Sequence, residues 1–243
     1  MLVKKQKRHR KLAAAAMDGE DLKFVHTTTA HVEHQGQGFT LVSRSVMGVL
    51  LLVLGVLLRN GLSKHRWRVY VDGQRTLQDA ILSFFSWHRA VSLILDWYHL
   101  KKKCMGMLSM ACNGKERRNQ HVRGVMRLLW YGLVDEAIAY LHSIPASDIK
   151  DAPSLNKLIG YIERNRDWIP CYAIRRELGL CNSSNPAERT NNLVASQRQK
   201  KNGMSWSIEG SQALSGLATL TLNHLEDRWL NDHEIPLNFA LAP

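Results

Sequence analysis

Residues 67–104 read WRVYVDGQRTLQDAILSFFSWHRAVSLILDWYHLKKKC, and this stretch decides the fold class. Trp67 to Val71 (WRVYV) is a strand that ends directly in Asp72 and Gly73. From Thr76 to Phe85 the apolar residues Leu77, Ile81, Leu82 and Phe85 return at helical spacing. Ala90 to Leu95 (AVSLIL) is a continuous apolar strand ending in Asp96, with a helix following from about His99. Strand, helix, strand, helix in this order implies parallel pairing in a mixed α/β sheet, because a crossover must return the chain to the same end. Sites in open α/β sheets gather at the carboxyl ends of strands, which is where Asp72 and Asp96 both fall.

Upstream, Phe24 to Val32 (FVHTTTAHV) and Phe39 to Val42 (FTLV) flank the turn residues Gln35 to Gly38, the pattern of a hairpin. Val46 to Leu58 (VMGVLLLVLGVLL) covers 13 residues between Arg44 and Arg59. A membrane-spanning helix needs about 20, so this run reads as a helix buried on most sides under a sheet, with no membrane partner. Asn60 and Gly61 stop it. Downstream, Lys101 to about Gly179 is helical, with Val122, Met126, Leu129 and Leu133 on one face and Leu155, Leu158, Ile159 and Ile162 on another. Pro145, Pro153 and Pro170 punctuate it, so it reads as an all-helical insertion. A final stretch from Asn182 leads into a last helix, Gly210 to about Trp229.

The 243 residues suffice for one large domain or one domain with an insertion. Lys and Arg total 33 against 21 Asp and Glu, a net charge of +12 that favours a polyanionic partner. Two basic runs stand out, Lys4 to Lys11 and Lys101 to Lys103, each of which fits either a phosphate contact or a solvated surface. The four cysteines include no C-x-x-C pair, which argues for reduced thiols in a cytosolic protein and against structural zinc.

Candidate chemistry concentrates in few residues. Asp72 can hold a divalent metal, or V-D-G is simply a turn. Asp96 and His99 fit a helix cap and its neighbour, or a pair of ligands. Asn185, Pro186 and Glu188 fit a helix start, with Asn185 as cap and Glu188 in a capping-box position. In the helix beyond, Arg189, Arg198, Lys200 and Lys201 alternate with Asn191, Asn192, Gln197 and Gln199, which suits a phosphate backbone or a solvent-facing helix. No Ser-His-Asp arrangement, phosphate-cradling loop or dinucleotide fingerprint is present.

Taken in order, V-D-G-x-R-x-L-Q at Val71 to Gln78, L-D-W-Y-H-L-x-K-K-C at Leu95 to Cys104, N-P-A-E-R-T-N-N at Asn185 to Asn192 and the later R-Q-K-K-N-G-M-S-W resemble the bacterial DDE-type insertion-sequence transposases of the Mutator-related group. The resemblance implies an RNase H-like mixed sheet flanked by helices, interrupted by the helical insertion before the last catalytic helix. It divides the chain into a first core part at 1–100, the insertion at 101–180, the final core helices at 181–230 and a tail at 231–243. It further implies Asp72 and Glu188 as two of three catalytic carboxylates holding Mg2+ or Mn2+ for in-line phosphoryl displacement. Asp96 and His99 correspond to a D-x-x-H element beside the site. Lys4, Lys5, Lys7, Arg8, Arg189, Arg198, Lys200 and Lys201 are the expected DNA contacts, and Trp206 belongs to the same DNA-facing tail. The partners implied are transposon ends and target DNA, with homo-oligomers or mixed oligomers with full-length transposase, in the cytoplasm at the nucleoid. The family's first Asp precedes a basic stretch resembling Lys5 to Arg8, a point before Met1, so little or no cleavage is expected from this chain alone. The other reading is a non-catalytic DNA-binding protein that modulates full-length transposase.

Overall fold

The computed structural model describes residues 2–4, 24–200 and 205–239. The fold is mixed α/β, with two compact units: residues up to His65 together with those from Asn185 onward, and Arg66–Ser184. The sequence anticipates a mixed sheet; among the described residues the strands pair two by two.

In the first unit β1 (Leu2–Lys4) pairs antiparallel with β2 (Phe24–His26), and β3 (Thr28–His34) with β4 (Gln37–Ser43). The β3–β4 turn is the two residues Gln35 and Gly36, at φ 52° and 78°. Two positive φ angles in succession match the right-handed twist of the flanking strands, and Gly36 takes the second at no steric cost. Helix α1 (Val46–Arg59) starts where the Ser45 hydroxyl accepts the Gly48 N–H. It packs on β3 and β4, where Val56, Leu52 and Val53 share a cluster with Phe39, Leu41, Ala30 and Val32; Val49, Leu50 and Leu57 are buried as well. Met47, Leu51, Leu58 and Arg59 form one exposed stripe and the other residues of the helix are buried or half-buried, with Leu237 reaching Gly55 from the distal chain, so the helix is buried on most sides. No helix among the described residues is long and apolar enough to cross a membrane. Asn60 ends α1 and ties down the distal chain, donating to the carbonyls of Val56 and Leu237 and accepting from Phe239 N–H.

Helix α8 (Asn185–Asn191) opens at Asn185 itself and runs through a π-helical turn (Asn192–Ser196) into the short α9 (Gln197–Gln199). Thr190, Val194, Ala195 and Gln199 are buried, so this polar stretch is no purely solvent-facing helix. Gln199 is the clearest departure. Its amide nitrogen donates to Ser211 O and Ser215 Oγ, its amide oxygen accepts from Ser211 Oγ, and its backbone carbonyl accepts from Trp206 Nε1. A buried amide needs this full set of partners, and α10 (Ile208–Leu222) supplies most of them. The expected last helix is two, α10 and α11 (Glu226–Asp232), separated at Asn223–Leu225, where His224 takes φ 55°. Asn223 forks onto β4, accepting from Thr40 N–H and donating to Thr40 O, both at 2.8 Å.

The second unit holds the parallel pair β5 (Trp67–Val71) and β6 (Val91–Leu95), with α2 (Arg75–Phe84) as the crossover. Helices α3 (Trp97–Ala111), α4 (Lys115–Trp130), α5 (Val134–His142), α6 (Ala152–Arg164) and α7 (Tyr172–Glu177) follow. The helices of the expected insertion therefore share a unit with the strand pair. Their core is one cluster that includes Leu95 of β6, Leu100, Cys104 and Leu108 of α3, Val125 and Leu129 of α4, Leu141 of α5, and Leu158 and Ile162 of α6. All four cysteines are free, and burial pushes the Cys104 thiol up to about 12.

His121 on α4 is buried between two partners, Tyr140 Oη at 3.1 Å from Nδ1 and Asp148 Oδ2 at 3.1 Å from Nε2. Both bonds are satisfied by a neutral ring that accepts at Nδ1 and donates at Nε2. Arg117 also pairs with Asp148. Burial first, and then the Arg117 charge, hold His121 below its ordinary value of 6.5. A depressed histidine stabilises the fold in full above that value and loses its contribution as pH falls through the folded pKa. The stability gap between wild type and His121→Gln is therefore expected to be widest above about pH 6.5 and to narrow towards pH 5. Urea midpoints across that range measure it, and a constant gap would show that His121 does not titrate with unfolding.

Candidate functional site

The parallel register fixes the site. Val71 stands opposite Leu95, so the next residues, Asp72 and Asp96, leave adjacent strands at the same carboxyl edge, and Asp96 N–H donates to Val71 O at 2.8 Å. The two carboxylates then take different environments. Asp96 is 1% exposed. Its Oδ1 accepts from His99 N–H at 2.9 Å, capping α3, and its Oδ2 accepts from both the N–H and the hydroxyl of Ser184. The helix begins at Trp97, two residues before the expected start, because Asp96 is its cap. Each Asp96 oxygen is engaged by protein donors, which makes it a positioning residue for α3 and for the loop ending at Ser184.

Asp72 is exposed. Its Oδ1 accepts from Gln74 N–H at 2.9 Å, closing an Asx turn, so the turn reading of V-D-G holds for that oxygen. Oδ2 carries no hydrogen bond from the described residues. Gly73 sits at φ +86°, and a Cβ there would fall 2.3 Å from Tyr161 Oη. Both the backbone angle and the close approach therefore demand glycine. Tyr161 donates to Asp72 O at 3.3 Å. Burial first, and then Cys104 where it ionises and the carboxylates of Asp72 and Asp96, raise the Tyr161 pKa, so its hydroxyl remains a donor at neutral pH.

Behind this turn lies a buried amide pair. Gln78 of α2 is 2% exposed and donates to Asn165 Oδ1 at 2.9 Å, and Asn165 donates to Tyr161 O at 2.8 Å. These bonds lock α2 onto α6 and so fix Tyr161 beneath Asp72. The D-G-x-x-x-x-Q spacing thus joins a turn to the side chain that braces it.

Asp72, Gly73 and Gln74 form one wall of a cleft of about 500 Å3. His99, Lys102, Lys103 and Gly106 of α3 line it as well, with Met107, Met110 and Tyr161. Lys103 is half-buried, its Nζ 5.5 Å from the centre of the Tyr161 ring, within cation–π range. Among the described residues no group of three His, Cys, Asp or Glu side chains can hold a metal ion, and the cleft's carboxylate is that of Asp72 alone.

Glu188 belongs to the other unit, in the first turn of α8, and is exposed, as are Arg189 beside it and Lys200 beyond α9. Lys4 lies on β1 and Arg198 on α9. Lys5, Lys7, Arg8 and Lys201 fall outside the described residues. Sequence reasoning singled out Asp72, Asp96 and the lysine run of α3, but missed Tyr161, Gln78 and Asn165. Tyr161 sits one place from the apolar stripe of α6, and nothing local marks its hydroxyl as a partner of residue 72. Comparison with protein-family models, with curated proteins and with solved structures gives no match.

Proposed function

We propose that this chain is a DDE-type transposase catalytic domain with an RNase H-like core, acting on DNA in the transposition of an insertion sequence. The observation that carries the reading is the placement of Asp72. It stands at the carboxyl end of a parallel strand, in a cleft shared with His99, Lys102 and Lys103. A net charge of +12 and the ordered motifs agree with it. Of the DNA-contact set Arg189 and Lys200 are exposed, and DNA ends, target DNA and further copies of the chain are the partners this reading requires.

Mg2+ or Mn2+ enters only through the resemblance, with Asp72 and Glu188 as its carboxylates. Among the described residues no three His, Cys, Asp or Glu side chains come together as a metal site.

Two measurements on the purified chain test the reading: DNA binding by fluorescence anisotropy over a salt series, and Mn2+ binding by electron paramagnetic resonance with DNA present. The expected result is affinity that falls steeply with salt and Mn2+ uptake that is lost in Asp72→Ala. DNA binding with Mn2+ uptake unchanged by Asp72→Ala would leave a non-catalytic DNA-binding protein. Absence of DNA binding at low salt would sink both readings. Plasmid nicking should be weak or absent, and strong magnesium-dependent nicking abolished by Asp72→Ala would overturn that expectation.

A further inference from the structure

The cleft has features that a metal-binding carboxylate does not explain. Lys102 and Lys103 bring two ammonium groups to the wall of α3, and among the described residues no carboxylate lies within ion-pair distance of either. A solvated surface lysine has no reason to be preorganised, yet Lys103 is half-buried over a ring that is itself fixed by Asp72 O and the Gln78–Asn165 pair. Holding the side chain beforehand lowers the entropy lost when it binds an anion. Gly106 leaves the middle of this wall open, with no atom within 4 Å of the place a Cβ would occupy. Met107 and Met110 continue the surface as an apolar patch suited to the face of a sugar or base. A volume of about 500 Å3 is of the size that admits a nucleotide unit.

We infer that this cleft is a phosphodiester subsite, in which Lys102 and Lys103 take backbone phosphate oxygens of a DNA strand at Asp72 while Met107 and Met110 lie against its sugars or bases. The inference deepens the transposase reading and rests on it for the identity of the polyanion. Its test uses charge that is removed from the cleft or from elsewhere. Lys102→Gln/Lys103→Gln removes both charges and keeps polar, flexible side chains, and Lys115→Ala/Lys157→Ala removes an equal charge at exposed positions that do not line the cleft.

Binding of labelled single-stranded DNA is measured in EDTA over a salt series, with inorganic phosphate as competitor. The cleft variant is expected to bind about tenfold more weakly, with a salt slope shallower by roughly 1 to 1.5, since each neutralised phosphate contributes about 0.7 on single strands. The control pair should leave the slope unchanged. Asp72→Asn removes a negative charge beside the phosphate, so it should tighten binding several-fold in the wild-type background and have no effect in the cleft variant. Equal effects of the two lysine pairs, an unchanged slope in the cleft variant, or phosphate that displaces DNA from the cleft variant as readily as from the wild type would each overturn the assignment. If the wild type binds DNA and these tests fail, only the subsite falls. If the subsite tests hold while Mn2+ uptake is independent of Asp72, the subsite stands and the catalytic reading falls.

Discussion

Tyr172→Ala is expected to destabilise the unit of residues 66–184 by about 3 to 5 kcal/mol, the range for emptying an aromatic site in a core. Tyr172 is fully buried, its ring 4.9 Å from that of Trp97 and nearly parallel to Trp130 at 6.1 Å. Its hydroxyl donates to Leu95 O at 2.7 Å, and its own carbonyl accepts from Asn182 Nδ2. Burial and then the Asp96 charge raise its pKa, so the phenol stays protonated and the bond to Leu95 persists across neutral pH. Tyr172→Phe isolates that bond and should cost about 1 to 2 kcal/mol, because the Leu95 carbonyl loses a buried partner while the ring packing remains. Urea unfolding followed by tryptophan fluorescence measures both. A loss under about 1 kcal/mol for the alanine variant would mean that the three rings do not pack as a core, since such losses belong to surface positions.

The position of Tyr172 shows why part of this molecule was legible in its sequence and part was not. Strand β5, helix α2 and strand β6 announce themselves through periodicity, and their order compels parallel pairing. From that alone Asp72 and Asp96 could be placed at one edge. Their division of labour could not be read, because it depends on Ser184, which lies 88 residues from Asp96 in the chain. Separations of 77 and 89 residues likewise hide Tyr172 from Leu95 and Tyr161 from Asp72. Local patterns reveal which residues turn inward, but not which buried polar group meets which.

The stretch after Glu188 illustrates the converse. Its density of Asn, Gln, Arg and Lys points to a solvated or phosphate-facing helix, and Arg189 and Lys200 are indeed exposed. Gln199 goes inward because Ser211 and Ser215, one turn apart on α10, offer a complementary pair of hydroxyls and a carbonyl. Composition reports the average polarity of a segment, whereas burial of one amide depends on partners supplied by another helix.

Asp96→Ala carries the other large expected effect, about 3 kcal/mol, and it separates a positioning role from a metal-binding one. Removing the carboxylate forfeits the cap on α3, worth about 1 kcal/mol, and strands the two half-buried donors of Ser184, each costing about 1 kcal/mol or more when unsatisfied. Asp96→Asn should fall between wild type and alanine. Its amide oxygen can still accept from His99 N–H, but its NH2 would then face the N–H of Ser184, donor against donor. Ser184→Ala should cost less than either change at Asp96, since only the hydroxyl bond is lost. This order, Ser184→Ala below Asp96→Asn below Asp96→Ala, follows from counting stranded donors and is read from urea midpoints. A metal ligand would behave differently. Its neutralisation would relieve repulsion in the metal-free protein, leaving stability unchanged or improved, and would abolish Mn2+ uptake. Asp96→Asn that is fully stable yet unable to take up Mn2+ would therefore move Asp96 from bracing the edge to joining Asp72 in the site. Loss of stability with Mn2+ uptake retained at low temperature would fix its role as the residue that holds α3, and with it Lys102 and Lys103, in place.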